Sequence, residues 1–113
     1  MQFKPMQMYS TLADGEYCGQ ITSIHFSNDM RFCWINIIVD GKKNGVFNTM
    51  FSTIDSVFNN FTCQFVDDEG YFCPEKVIDI KIKFTVDTRV YNNNSSSKIS
   101  QIKLIEGDEI IQQ

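Results

Sequence analysis

The alternation of apolar and polar positions centres on residues 30–51, MRFCWINIIVDGKKNGVFNTMF. Within 30–40 the set Cys33, Ile35, Ile37 and Val39 is apolar at period two, the spacing at which strand side chains share one face. The opposite set, Phe32, Trp34, Asn36 and Ile38, puts aromatic rings beside an amide, where a solvated strand face ordinarily carries Lys, Thr or Glu. The first face reads as core and the second as a surface that something covers. Asp40-Gly41-Lys42-Lys43-Asn44-Gly45 supplies turn residues with two lysines at the tip, which predicts an antiparallel hairpin. The pattern leaves open which parity of residues 45–51 faces inward.

The flanking stretches add weaker periodicities. Residues 1–11 are Met-rich without a clear period and are expected to form an N-terminal arm or a short edge strand, with the arm region ending near residue 13. Residues 15–26 read as a strand whose apolar parity changes from Tyr17 and Ile21 to Ile24 and Phe26, with Gly19 inside, so a bulge or bend is expected. Ile54, Val57, Phe58 and Phe61 fall at i, i+3, i+4 and i+7. That spacing predicts a short amphipathic helix over 52–61, with Ser52 as N-cap and Asp55 near the positive end of its dipole. The acidic turn Asp67-Asp68-Glu69-Gly70 either joins two short strands or is a surface excursion. Residues 77–91 give the clearest strand: Ile78, Ile80, Ile82, Phe84, Val86 and Val90 alternate with Asp79, Lys81, Lys83, Thr85, Asp87, Arg89 and Tyr91, one face buried and the other wet and net basic. The Asn/Ser run 92–97 is turn-prone and is expected to be a mobile loop, 98–106 a last strand with another parity slip, and 107–113 a short acidic tail. Five strands with one helix between the third and fourth form an all-β chain in the order of the OB-fold, a five-stranded Greek-key barrel whose first strand bends to serve both halves. An SH3-like barrel and a small β-sandwich are the alternatives.

Composition narrows the function classes. A chain of 113 residues with ten Phe and only two Pro is expected to be one ordered domain. Cys18, Cys33, Cys63 and Cys73 follow no signal-peptide pattern and show no C-x-x-C spacing, so reduced thiols in the cytoplasm are favoured over two disulfides. His25, the only histidine, has no acid or nucleophile partner in view, and neither a metal-ligand spacing nor a phosphate-cradling Gly loop is present. No enzyme activity, cofactor or metal is therefore expected, and no apolar run approaches a membrane span. The formal charge of -4 is unevenly distributed: Asp67, Asp68, Glu69, Glu75, Glu106, Asp108 and Glu109 hold seven of the fourteen acids, which leaves seven against ten Lys and Arg. The remaining body is net basic, and screening over about 8 Å lets a local basic surface act by itself.

Asp14-Gly15-Glu16-Tyr17, Ile21-x-x-Ile24, the strand Trp34-Ile35-Asn36-Ile37 ending at Asp40-Gly41, and Lys98-Ile99-x-x-Ile102 after the Asn-rich run resemble the OB-fold single-stranded-DNA-binding proteins encoded by bacteriophages and mobile elements. The resemblance covers residues 14–106. It implies sequence-nonspecific binding of single-stranded DNA in replication or recombination in the cytoplasm of a bacterial host, and association into a homo-oligomer. The acidic stretch Glu106 to Glu109, followed by Ile110-Ile111 and then Gln112-Gln113, is similar to the tails by which bacterial single-strand binders recruit replication or recombination proteins.

The residues themselves support the same chemistry. Nonspecific strand binding needs flat π surfaces for bases, each worth about 1 to 3 kcal/mol, and cations for phosphates. Phe32 and Trp34 point the same way; Phe47 on the partner strand, Tyr91 and Asn36 are expected to extend the platform. Arg31, Lys42, Lys43, Lys81, Lys83, Arg89 and Lys98 are the candidate phosphate contacts. The competing reading is a protein-interaction or oligomerisation barrel whose aromatic face is an interface, with no nucleic-acid role.

Overall fold

The computed structural model describes residues 7–9, 11–41 and 45–105. The 30–51 hairpin forms as its alternation predicts: β3 (Phe32–Val39) pairs antiparallel with β4 (Gly45–Ser52), with Ile37 opposite Phe47 and Trp34 opposite Met50. Cys33, Ile35, Ile37 and Val39 are all buried, as one continuous apolar face requires. Before it runs β2 (Gly15–Phe26), and after it come β5 (Lys81–Tyr91) and β6 (Asn94–Leu104), with α1 (Ser56–Thr62) between β4 and β5. Five antiparallel strands lie in the order β4-β3-β2-β5-β6, with the helix between the third and fourth of them in the chain. This is the OB-like, all-β arrangement. The first of the short chain segments, β1 (Gln7–Tyr9), adds a parallel edge strand on β4.

The long strand β2 serves both halves. Residues 15–20 pair with β5 and residues 19–26 with β3, so Gly19 and Gln20 have a neighbour on each side. A Cβ on Gly19 would sit 2.6 Å from the Ile38 carbonyl oxygen, which is why this crowded point carries glycine. The parity change seen in the sequence is a bulge: Ile21 pairs with Ile37 and Ser23 with Asn36, leaving Thr22 as the extra residue. Ile24 and Phe26 thereby return to the core side. The parity slip in β6 has the same cause, since Thr85 pairs with Gln101 and Val86 with Ile99, leaving Ser100 over.

Among the described residues no strand pairing between β4 and β6 closes the sheet. The segment after β1 runs along this seam, where the Leu12 N–H donates to the Ser97 hydroxyl (2.8 Å) and that hydroxyl donates to the Leu12 carbonyl (3.0 Å). Inside, Phe47 stacks on Phe84 with ring centroids 6.1 Å apart and planes 7° from parallel. Phe51 and Phe26 pack on Phe58 of α1, which covers one end of the core inside the curved sheet.

Four local expectations are corrected. The helix begins at Ser56 with Asp55, not Ser52, as N-cap; the Asp55 carboxylate accepts the Val57 N–H at 2.7 Å. Ile54 consequently precedes the helix and is 89% exposed instead of lying on its buried stripe. Residues 77–80 are turn, not strand, because Asp79 adopts φ 68° and a short 3-10 helix (Pro74–Lys76) leads into it. The 92–97 run is not a loop: Asn92 (φ 52°) and Asn93 (φ 66°) make a two-residue hairpin turn, and Asn94 begins β6. The acidic turn falls between its two readings, as a surface excursion closed by a single bridge between Val66 and Phe72.

Candidate nucleic-acid interface

The outer face of β3 presents Phe32, Trp34, Asn36 and Ile38, because alternation sends their neighbours into the core. Phe32 is 38% exposed and Trp34 is partly exposed; neither belongs to the buried cluster. The two rings lie 6.5 Å apart and tilted by 50°, two strand positions along the same face. Across to β2, His25 is the register partner of Trp34 and its ring stands 6.2 Å away. Across to β4, Met50 is the partner of Trp34 and Ser52 of Phe32. The rings thus span β2 and β3, and Met50 extends the shelf onto β4.

Below the rings lies a polar row. The Asn48 amide donates to the Asn36 side-chain oxygen at 2.7 Å, and the Asn36 amide donates to the Ser23 hydroxyl at 2.8 Å. An amide has two donors and two lone pairs, so Asn36 keeps one of each for a base edge while the network fixes its orientation.

The seam adds the cations. Arg89 and Lys98 line a cleft of about 240 Å³ together with Met50, Ser52 and Asp55. A smaller cleft of about 150 Å³ continues along the seam past Lys98 and Met50 to Thr49, Asn48 and Ser96. Met50 therefore belongs both to the Trp34 row and to the cleft that holds the two bases. Asp55 is already committed to the N-terminal amides of α1, so its charge is tied to the helix end. Thr49 is buried and its hydroxyl has no hydrogen-bond partner among the described residues.

The structure separates the residues singled out in the sequence. Phe32, Trp34 and Asn36 share the shelf, and Arg89 and Lys98 share the adjoining cleft. Arg31 is exposed beside Phe32, with its guanidinium 3.8 Å from Asp29. The Asp29 carboxyl is held below the usual range by the Ser27 hydroxyl and then by the Arg31 backbone N–H. Lys81 and Lys83 stand elsewhere, on β5 beside β2 and opposite the Lys103 strand, with Lys83 3.8 Å from Glu16. Phe47 is a correction: at 0% exposure it is a core ring, because Phe47, Thr49 and Phe51 form the inward parity of β4. Lys42 and Lys43 lie outside the described residues, as do the side chain of Tyr91 and the acidic tail. His25, Asn48 and Met50 are shelf residues that sequence reasoning missed. Their signal is cross-strand register, which pairs Asn48 with Asn36, Met50 with Trp34 and His25 with Trp34 and which the alternation alone does not give.

Among the described residues no group of His, Cys, Asp or Glu is placed to hold a metal ion, and no helix is long and apolar enough to cross a membrane. No protein-family model matches the chain, and no curated protein is detectably similar to it.

Proposed function

We propose that the protein binds single-stranded DNA without sequence preference, stacking bases on Trp34 and Phe32 and holding phosphates at Arg89 and Lys98. The observation that carries the reading is the continuity of shelf and cleft: Met50 lies beside Trp34 across the hairpin and also lines the cleft with both cations. A strand crossing β3 and β4 would meet rings, then the Asn36 and Asn48 amides, then positive charge, the order in which a nucleotide presents base and phosphate. The setting we propose is coating of DNA during replication or recombination of a bacteriophage or mobile element, in line with the motif resemblance. The open rings also need no catalytic group, which suits a binder more than an enzyme.

Anisotropy of a fluorescein-labelled oligothymidylate tests this. Binding is expected at low salt and should weaken linearly in log Kd against log salt, with a slope of about 0.7 per phosphate contacted. Trp34→Ala and Lys98→Ala should each weaken it. Binding that is insensitive to both substitutions, or absent at low salt, contradicts the proposal.

A further inference from the structure

We infer that the apolar groove between α1 and the 71–74 segment docks a polypeptide segment of another protein, one carrying large apolar side chains flanked by Lys or Arg. This goes beyond strand binding and stands independently of it.

The groove, of about 370 Å³, is floored by Phe26, Phe58 and Phe72 and edged by Met30, Tyr71 and Pro74. Met30 is 58% exposed and Tyr71 69% exposed, so the edge is apolar surface that the core does not use. Met30 is moreover held at φ 62°, a conformation a residue with a Cβ rarely adopts. Its N–H donates to the Ser27 carbonyl (3.0 Å) and its carbonyl accepts the Thr53 hydroxyl (2.8 Å), which lock the turn. A costly backbone state that stands an adaptable thioether at the lip of an apolar groove serves contact with something outside the chain.

Charge identifies the occupant. Asp67, Asp68 and Glu69 form the turn just before Tyr71, and Glu75 follows Pro74; all four are exposed, against Lys76 in that segment and Arg31 beside Met30, whose guanidinium faces Asp29 at 3.8 Å. The Asp67 carboxylate accepts the N–H groups of Glu69 (2.9 Å) and Tyr71 (3.0 Å), so the acidic turn and the Tyr71 edge form one unit. Such a rim repels phosphates, which excludes the DNA strand, and attracts Lys and Arg. A second copy of this chain fits poorly, because an isologous pair would set two acidic rims against each other. The apolar floor asks for aromatic or aliphatic side chains, hence a basic and apolar peptide.

The test is selection of 12-residue peptides from a random displayed library on the full chain, followed by titration of synthetic copies of the winners. The expected consensus has two or more large apolar residues with neighbouring Lys or Arg. Tyr71→Ser and Met30→Ser should each weaken binding tenfold or more, and Asp68→Lys with Glu69→Lys should do the same while flattening the salt dependence. The charge-reversed variant, altered only at the surface, keeps the test decisive if an apolar variant fails to fold. Failure to enrich any peptide, winners without basic residues, or affinity unchanged in these variants overturns the inference. So does concentration-dependent self-association lost in Tyr71→Ser, or a shift of the Phe72 and Tyr71 amide resonances on adding oligothymidylate.

Discussion

The two faces of β3 are built from the same eight residues on one backbone, yet only one of them is explained by folding. Cys33, Ile35, Ile37 and Val39 fill the core and leave almost no surface. Phe32 and Trp34, on the other side, remain partly open to solvent, above an amide network and next to a cationic cleft. Core residues are accounted for by the apolar area they remove from water. Large rings that contribute little to the core call for a different account, and departures from the local rule for a solvated strand mark places shaped by function.

Substitutions on opposite faces of the hairpin should separate the two accounts. The largest effect belongs to the inner side: Phe47→Ala leaves a cavity beside Phe84 and should cost about 3 to 5 kcal/mol in urea unfolding. A cost under about 1 kcal/mol would return Phe47 to the surface and break the comparison. On the outer side, Trp34→Ala should weaken oligothymidylate binding by about 1 to 3 kcal/mol while moving the unfolding midpoint far less. Equal losses of stability and affinity would mean that Trp34 acts through the fold.

The inner face was legible because Cys33 to Val39 keep strict period two over a whole strand and Ile82 to Val86 over the first half of β5, and the bulges at Thr22 and Ser100 announced themselves as parity slips. The inward parity of β4 was not, because Val46 and Met50 are as apolar as Phe47 and Phe51; only the register against β3 decides it. The helix start failed for a related reason. Ser52 and Asp55 are both good caps, and the strand pairing of Ser52 with Phe32 claims the first of them. A turn was legible in the Asn-rich run, since asparagine tolerates the positive φ that a two-residue hairpin requires, but nothing in a uniformly polar run limits it to Asn92 and Asn93 and starts the strand at Asn94. As for the site, a sequence shows that Arg89 and Lys98 are cations but not that an unpaired seam brings them beside Met50.

A smaller effect sharpens the picture at the seam. Arg89→Ala and Lys98→Ala should each lower the slope of log Kd against log salt by about 0.7, whereas Lys81→Ala, at the other end of β5 beside β2, should leave it within error. A slope that falls equally for all three would replace the cleft by a diffuse basic field.

The smallest effect at neutral pH concerns the thiols. Burial pushes Cys33 up from 9.0 to about 12, so the fold favours its neutral form. Its contribution is complete below pH 9 and should be lost as pH rises toward 12, with nothing to see at pH 7. Iodoacetamide at pH 8 should modify exposed Cys63 and spare Cys33 until the protein unfolds. Early modification of Cys33 would show that the inner face is not sealed.

Trp34 is the chain's one tryptophan, so its emission reports the shelf without interference. Titration with oligothymidylate at low salt, repeated as salt is raised, should quench that emission and then restore it as phosphate contacts are screened. Unchanged emission at low salt, from an indole already shielded from acrylamide in the free protein, would contradict the claim that this face is an open platform for bases.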